Sequence, residues 1–149
     1  MKTVITAIII CLIAFSSFGQ QYLSVKILEG ADDVNSDLDQ YFLLEVSNNS
    51  PWGEHIDILV TNNSCANISP NDQVKLLHKL YDKTMEFELD TFYLSPNNST
   101  KFYLKIYREP NTPTNRWNCK SIKASAKNGD VFSSPVIITS LVPNPNNNN

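Results

Sequence analysis

Apolar and polar residues alternate with a period of two along most of the chain. Leu23, Val25 and Ile27 alternate with Ser24 and Lys26. Ile56, Ile58 and Val60 alternate with His55, Asp57 and Thr61, and Phe102, Leu104 and Ile106 with Lys101, Tyr103, Lys105 and Tyr107. Successive side chains of a strand point to opposite faces, so each run predicts a half-buried β-strand. Met85, Phe87 and Leu89, set among Glu86, Glu88 and Asp90, predict another. Ile122, Ala124 and Ala126 give a weaker face, and residues 136–139 read as a last strand. Tyr41 to Val46 is nearly all apolar, as in a central strand. Asn, Pro, Ser and Gly cluster between the runs, and Asn128-Gly129-Asp130 reads as a tight hairpin turn.

Residues 74–81 (VKLLHKLY) fit two periods. Val74, Leu76 and Leu80 suit a strand, whereas Val74, Leu77 and Tyr81 suit a helix face. A strand is preferred, because an isolated short helix needs tertiary support. Seven or eight short strands divided by turn signals predict an all-β protein. The expected fold is an antiparallel two-sheet immunoglobulin-like sandwich.

The ends change the picture. Lys2 precedes an apolar run from Val4 to Phe15, and the small residues Ser17 and Gly19 follow at cleavage-site spacing. This predicts a secretory signal peptide over residues 1–19, cut before Gln20. The run is too short to span a bilayer comfortably, and no basic stop-transfer cluster follows it. The expected product is a secreted protein, extracellular or periplasmic, without a membrane span. Its 130 remaining residues suit one domain over 20–142. The tail 143–149 is low in complexity and predicted to be disordered. Losing Lys2 leaves 11 basic against 15 acidic residues, without a basic cluster, which argues against nucleic acid as a partner.

Of three cysteines, Cys11 falls in the leader. The remaining pair, Cys65 and Cys119, predicts one disulfide in an oxidising compartment, closing a loop of about 55 residues. The stretch from Asp33 to Asp39 (DVNSDLD) puts Asp33, Asn35, Asp37 and Asp39 at the alternating positions of a calcium loop. A full loop of that type needs Gly at its sixth position and an acid at its twelfth. Here those positions hold Leu38 and Leu44, so an acidic solvated loop is the preferred reading and a weaker calcium clip the alternative.

Catalytic signals are thin. His55 and Asp57 share a strand face while Glu54 points away, short of the convergent ligands zinc needs. There is no G-x-S-x-G elbow and no glycine-rich phosphate loop. The chain is therefore expected to be a non-enzyme without a cofactor, serving as a binding or structural module. Its ligand-binding candidates are aromatic. Trp52 and Trp117 lie in polar stretches, where each ring either stacks on a sugar or covers an end of the core. Tyr103 and Tyr107, beside Lys101 and Lys105, form either a solvated ladder or a flat platform. Glycosylation sequons start at Asn48, Asn62, Asn67, Asn97 and Asn98, all in predicted loops.

Two resemblances bear on function. Leu94-Ser95-Pro96-Asn97-Asn98-Ser99-Thr100-Lys101-Phe102, followed by Leu104, Ile106 and Pro110, resembles the closing half of bacterial immunoglobulin-like or fibronectin-like accessory domains. Ile58-Leu59-Val60-Thr61-Asn62-Asn63-Ser64 resembles a strand and turn of small secreted cellulose-binding sandwich modules. The first implies an extracellular protein partner or a structural role, and the second a polysaccharide.

Overall fold

The computed structural model describes residues 22–30, 39–129 and 131–144. Eight strands run through them: β1 (Leu23–Glu29), β2 (Asp39–Asn48), β3 (Glu54–Asn63), β4 (Leu77–Asp82), β5 (Phe92–Leu94), β6 (Asn98–Tyr107), β7 (Arg116–Ala126) and β8 (Val136–Val142). They form two sheets of four, ordered β1-β2-β6-β4 and β5-β3-β7-β8, and every strand pair is antiparallel. The first sheet and the β3-β7-β8 part of the second follow the strand order of an immunoglobulin constant-type sandwich, with β5 added at the β3 edge.

Outside residues 85–89, the alternating runs of the sequence become strands. One face of each sheet supplies the core, built from residues such as Leu23, Val25, Phe42, Leu44, Val46, Ile56, Phe102, Leu104 and Ile122. Central β2 pairs β1 on one side and β6 on the other. The disulfide Cys65–Cys119 is present, with Cα atoms 5.3 Å apart. It ties the turn after β3 to β7, both on the second sheet, so the two sheets are joined instead by apolar packing and by side-chain hydrogen bonds such as Gln40 to Leu141 O and Asn48 to Leu94 O.

Three expectations about strands and loops are corrected first. Residues 85–89 are not a strand. The Asp82 carboxylate accepts the N–H groups of Glu86 and Phe87, Met85 adopts a φ of 61°, and only Glu88 bridges Tyr81. The local side-chain bonds of Asp82 turn the chain before a ladder can extend. Residues 74–81 are a strand only from Leu77 onward. Their first half crosses from the second sheet to the first, with Leu76 buried between them. Trp117 is not in a loop, because β7 starts one residue earlier, at Arg116. The hairpin after β7 forms, with Gly129 at a φ of 79° that suits a residue lacking Cβ.

Asn48 and Asn62 belong to strands, and Asn98 opens β6. Asn48 is fully buried, so its sequon is closed to a glycan in the folded chain. The expected leader, residues 1–19, the calcium-loop candidates Asp33, Asn35 and Asp37, and the end of the tail lie outside the described residues. No helix is long and apolar enough to cross a membrane among the described residues.

Candidate binding face

The outer faces of the two sheets differ in chemistry. On the first sheet, side chains with opposite charges meet across strands. Lys26, Glu45 and Lys101 share one row, and Tyr41, Lys105 and Lys79 another. Lys105 Nζ lies 2.7 Å from Asp39 Oδ2 and 5.5 Å from the ring centres of both Tyr41 and Tyr107. The Asp39 hydrogen bond holds the Lys105 amine above its ordinary range. Lys79 pairs with Glu88 at 3.1 Å and is raised in the same way. Leu43 points outward from this face, yet only 9% of it is exposed. The long side chains of the face cover one another, and two of its rings, Tyr41 and Tyr107, already face Lys105.

The second sheet faces solvent differently. Its cross-strand rows are Trp117–Leu141, Asn63–Cys119–Thr139, Thr61–Ser121–Ile137, Leu59–Lys123, Asp57–Ser125 and His55–Tyr93. Tyr93 is 58% exposed, Ile137 47% and Trp117 36%, and Leu59 is exposed as well. Only Asp57 and Lys123 carry charge among these positions, and both are engaged. Asp57 Oδ1 accepts the Thr91 hydroxyl at 2.5 Å, and Lys123 Nζ sits 4.5 Å from the ring centre of exposed Phe132. The result is a surface with apolar and aromatic groups spaced among hydroxyls. From Trp117 to Ser125 it runs about 27 Å at the rise of a strand. Exposed apolar groups scattered singly need no explanation, but a contiguous set marks an interaction surface.

One end of this face is built around Trp52, which is 67% exposed. Its loop is held from inside by buried Asn48. The Asn48 amide donates to Trp52 O at 2.7 Å and Leu94 O at 3.3 Å, and its Oδ1 accepts Ser50 N–H at 3.0 Å. Ser50 Oγ donates to Trp52 O and accepts Trp52 N–H. The chain beside the exposed indole is thus fixed before any ligand arrives. The Tyr93 ring lies over Gly53, where a Cβ would collide with the tyrosine hydroxyl. It meets His55 edge-on, with ring centres 5.3 Å apart.

The opposite end is set by the crossover segment. Val74 N–H donates to Trp117 O at 2.8 Å, so the segment continues the sheet where β3 stops. Gln73 accepts Cys65 N–H and donates to Ile68 O at 2.7 Å, which closes the disulfide turn on itself. Beneath it, the fully buried Lys120 donates to Leu76 O at 2.7 Å and Asn62 Oδ1 at 2.9 Å, and lies 3.5 Å from His78 Nδ1. Desolvation lowers the Lys120 amine to about 8. Desolvation and the Lys120 charge together lower His78, which keeps its imidazole neutral and able to accept. Between β3 and this segment opens a cleft of about 540 Å³.

The aromatic candidates from the sequence are therefore divided. Trp117 lies on the second face and Trp52 at its end, while Tyr103 and Tyr107 lie on the first. Asp39 is committed to Lys105, and no group of three or more metal-ligating side chains forms among the described residues. Sequence reasoning missed Tyr93, Leu59, Phe132 and Ile137. A signal for two of them was there: Ile58-Leu59-Val60 and Ile137-Ile138 are apolar at consecutive positions, so a strand must turn one of them outward.

No protein family matches the chain, and no curated protein matches it in sequence. Solved structures do resemble it. A FixG-related protein from Vibrio parahaemolyticus is 13% identical over 80% of this chain and 93% of that one, with a TM-score of 0.50. A family 123 glycoside hydrolase from Clostridium perfringens is 10% identical over 82% of this chain and 27% of that one, with a TM-score of 0.54. At such identities the likeness shows the fold alone.

Proposed function

We propose that the chain is an exported, non-catalytic binding module whose working surface is the outer face of the second sheet, and that its partner is a polysaccharide. The observation that carries this reading is the contrast between the two faces. One is strongly charged, with Lys26, Glu45 and Lys101 in one row and the ion pairs Lys105–Asp39 and Lys79–Glu88 beside it, whereas the other presents Trp117, Tyr93 and the adjoining Trp52 with almost no free charge. Ring faces accept the C–H faces of sugars, and Thr61, Ser121 and Thr139 supply hydroxyls between them. The leader pattern and the disulfide support export to an oxidising compartment. The likeness of residues 58–64 to cellulose-binding modules agrees with this ligand class. The aliphatic Leu59 and Ile137 in the middle of the face favour a protein partner as the second reading.

Depletion from solution by insoluble cellulose and chitin tests the proposal. Trp117→Ala and Tyr93→Ala each weaken binding about tenfold or more, and Tyr103→Ala on the opposite face leaves it unchanged. Equal binding by all three variants would remove the second face from consideration. If the polymers do not deplete the protein, while Leu59→Glu with Ile137→Lys abolishes retention on protein-rich surface extracts of the source cells, the partner is a protein.

A further inference from the structure

The cleft beside the disulfide is lined by Asn62, Asn63, Ser64, Gln73, Val74 and Lys75, with Ile68 and Pro70 adding apolar wall. Its volume of about 540 Å³ lies in the range of small-ligand sites. Its polar groups are biased towards donation. Asn62 Oδ1 is taken by Lys120 Nζ and Asn63 Oδ1 by Ser64 N–H. A donating partner fixes which amide atom is oxygen, so both side chains leave their NH2 groups to a ligand. Gln73 is consumed by the turn, accepting from Cys65 and donating to Ile68.

Charge points the same way. Lys75 is exposed at the cleft and has no ion-pair partner among the described residues. Lys120, one side chain behind Asn62, is held by a carbonyl, an amide oxygen and an imidazole, with no carboxylate among these partners. The nearest acid on the cleft's own turn, Asp72, is paired with Arg116 at 3.3 Å. One cation without an ion pair, Lys75, and two amide donors thus line a cleft whose walls include apolar Ile68, Pro70 and Val74, with the buried Lys120 behind Asn62.

We propose that this cleft is a second, independent binding site that takes a carboxylate-bearing sugar, a uronic acid unit. Lys75 and the Asn62 and Asn63 amides receive the carboxylate and hydroxyl oxygens, and the apolar wall packs against the ring. Lys120 acts through Asn62 as a positioning residue, supplying charge without touching the ligand.

Galacturonate and galactose differ in the carboxylate alone and serve as probes, with amide chemical shifts of residues 62–75 as the readout. Galacturonate shifts these resonances, and galactose binds at least about tenfold more weakly. Asn63→Asp, a substitution at an exposed position, abolishes the galacturonate response. Lys75→Met and the volume-conserving Lys120→Met each weaken it, while Trp117→Ala and Tyr93→Ala do not. Equal binding of the two sugars, no shift with galacturonate, or an unchanged response in Asn63→Asp would each overturn the site. Asn63 also stands at the margin of the second sheet's outer face, but the polymer experiment tests that face separately, through Trp117 and Tyr93 at positions outside the cleft.

Discussion

Replacing Cys65 with Ala and Cys119 with Ser lowers the stability of the domain by about 4 kcal/mol, the loop-closure entropy of a bridge this long. The bridge spans 54 residues, most of the chain from the end of β3 to the start of β7. In the reduced unfolded chain those residues recover their freedom, and both sulfur atoms leave buried positions in the folded one. For a domain of this size the loss lowers the melting temperature by about 15 °C. The effect is read by calorimetry on the oxidised protein and the double variant. The bridge also holds the turn that carries Gln73, so the variant loses order first in residues 64–75. A melting temperature within two degrees or so of wild type would show that packing of the crossover segment alone suffices.

Lys120→Ala lowers stability by about 3 kcal/mol, because it opens a cavity and strips donors from Leu76 O and Asn62 Oδ1 together. Lys120→Met fills the same space without burying a charge and stays within about 1 kcal/mol of wild type at pH 7. The pH dependence separates the two contributions. The folded amine titrates near 8 and the unfolded one near 10.5. Between those values the unfolded chain holds a proton that the folded chain has released, so stability rises with pH across that window. Below pH 8 both states are protonated and the gain is absent. Urea unfolding of wild type therefore strengthens by up to about 3 kcal/mol from pH 8 to 10.5 relative to Lys120→Met. A flat difference between the two proteins would mean that the buried amine is not desolvated as the geometry requires.

Lys120 also shows where the sequence stops being informative. Its alternation with Asn118 and Ile122 on β7 places it on the inner face, where a lysine is out of place by composition. Nothing local says that a crossover carbonyl 44 residues away will meet it. The strands that alternate cleanly, β1, β3 and β6, were legible because burial on one face imposes period two. The Cys65–Cys119 pair was legible because a chain that reads as exported, with two cysteines after its leader pattern, leaves few alternatives. Residues 85–89 misled because Asp82, outside the alternating run, captures their backbone N–H groups. The binding face needed the fold. Tyr93 stands beside His55 only once β5 pairs β3. Trp117 and Tyr103 look equivalent in sequence until the sheet order puts them on opposite sides of the molecule.

The central claim, that the outer face of the second sheet and its Trp52 end form the contact surface, is tested most directly by the two tryptophans themselves. Acrylamide quenching of Trp52→Phe and Trp117→Phe, each leaving one indole, reports the accessibility of each ring in the free protein and on cellulose or chitin. Both indoles are quenched in free protein, Trp52 more than Trp117, in line with their exposures of 67% and 36%. On the bound polymer both lose most of that quenching. Unchanged quenching of both rings in polymer-bound protein would place the contact elsewhere and contradict the account.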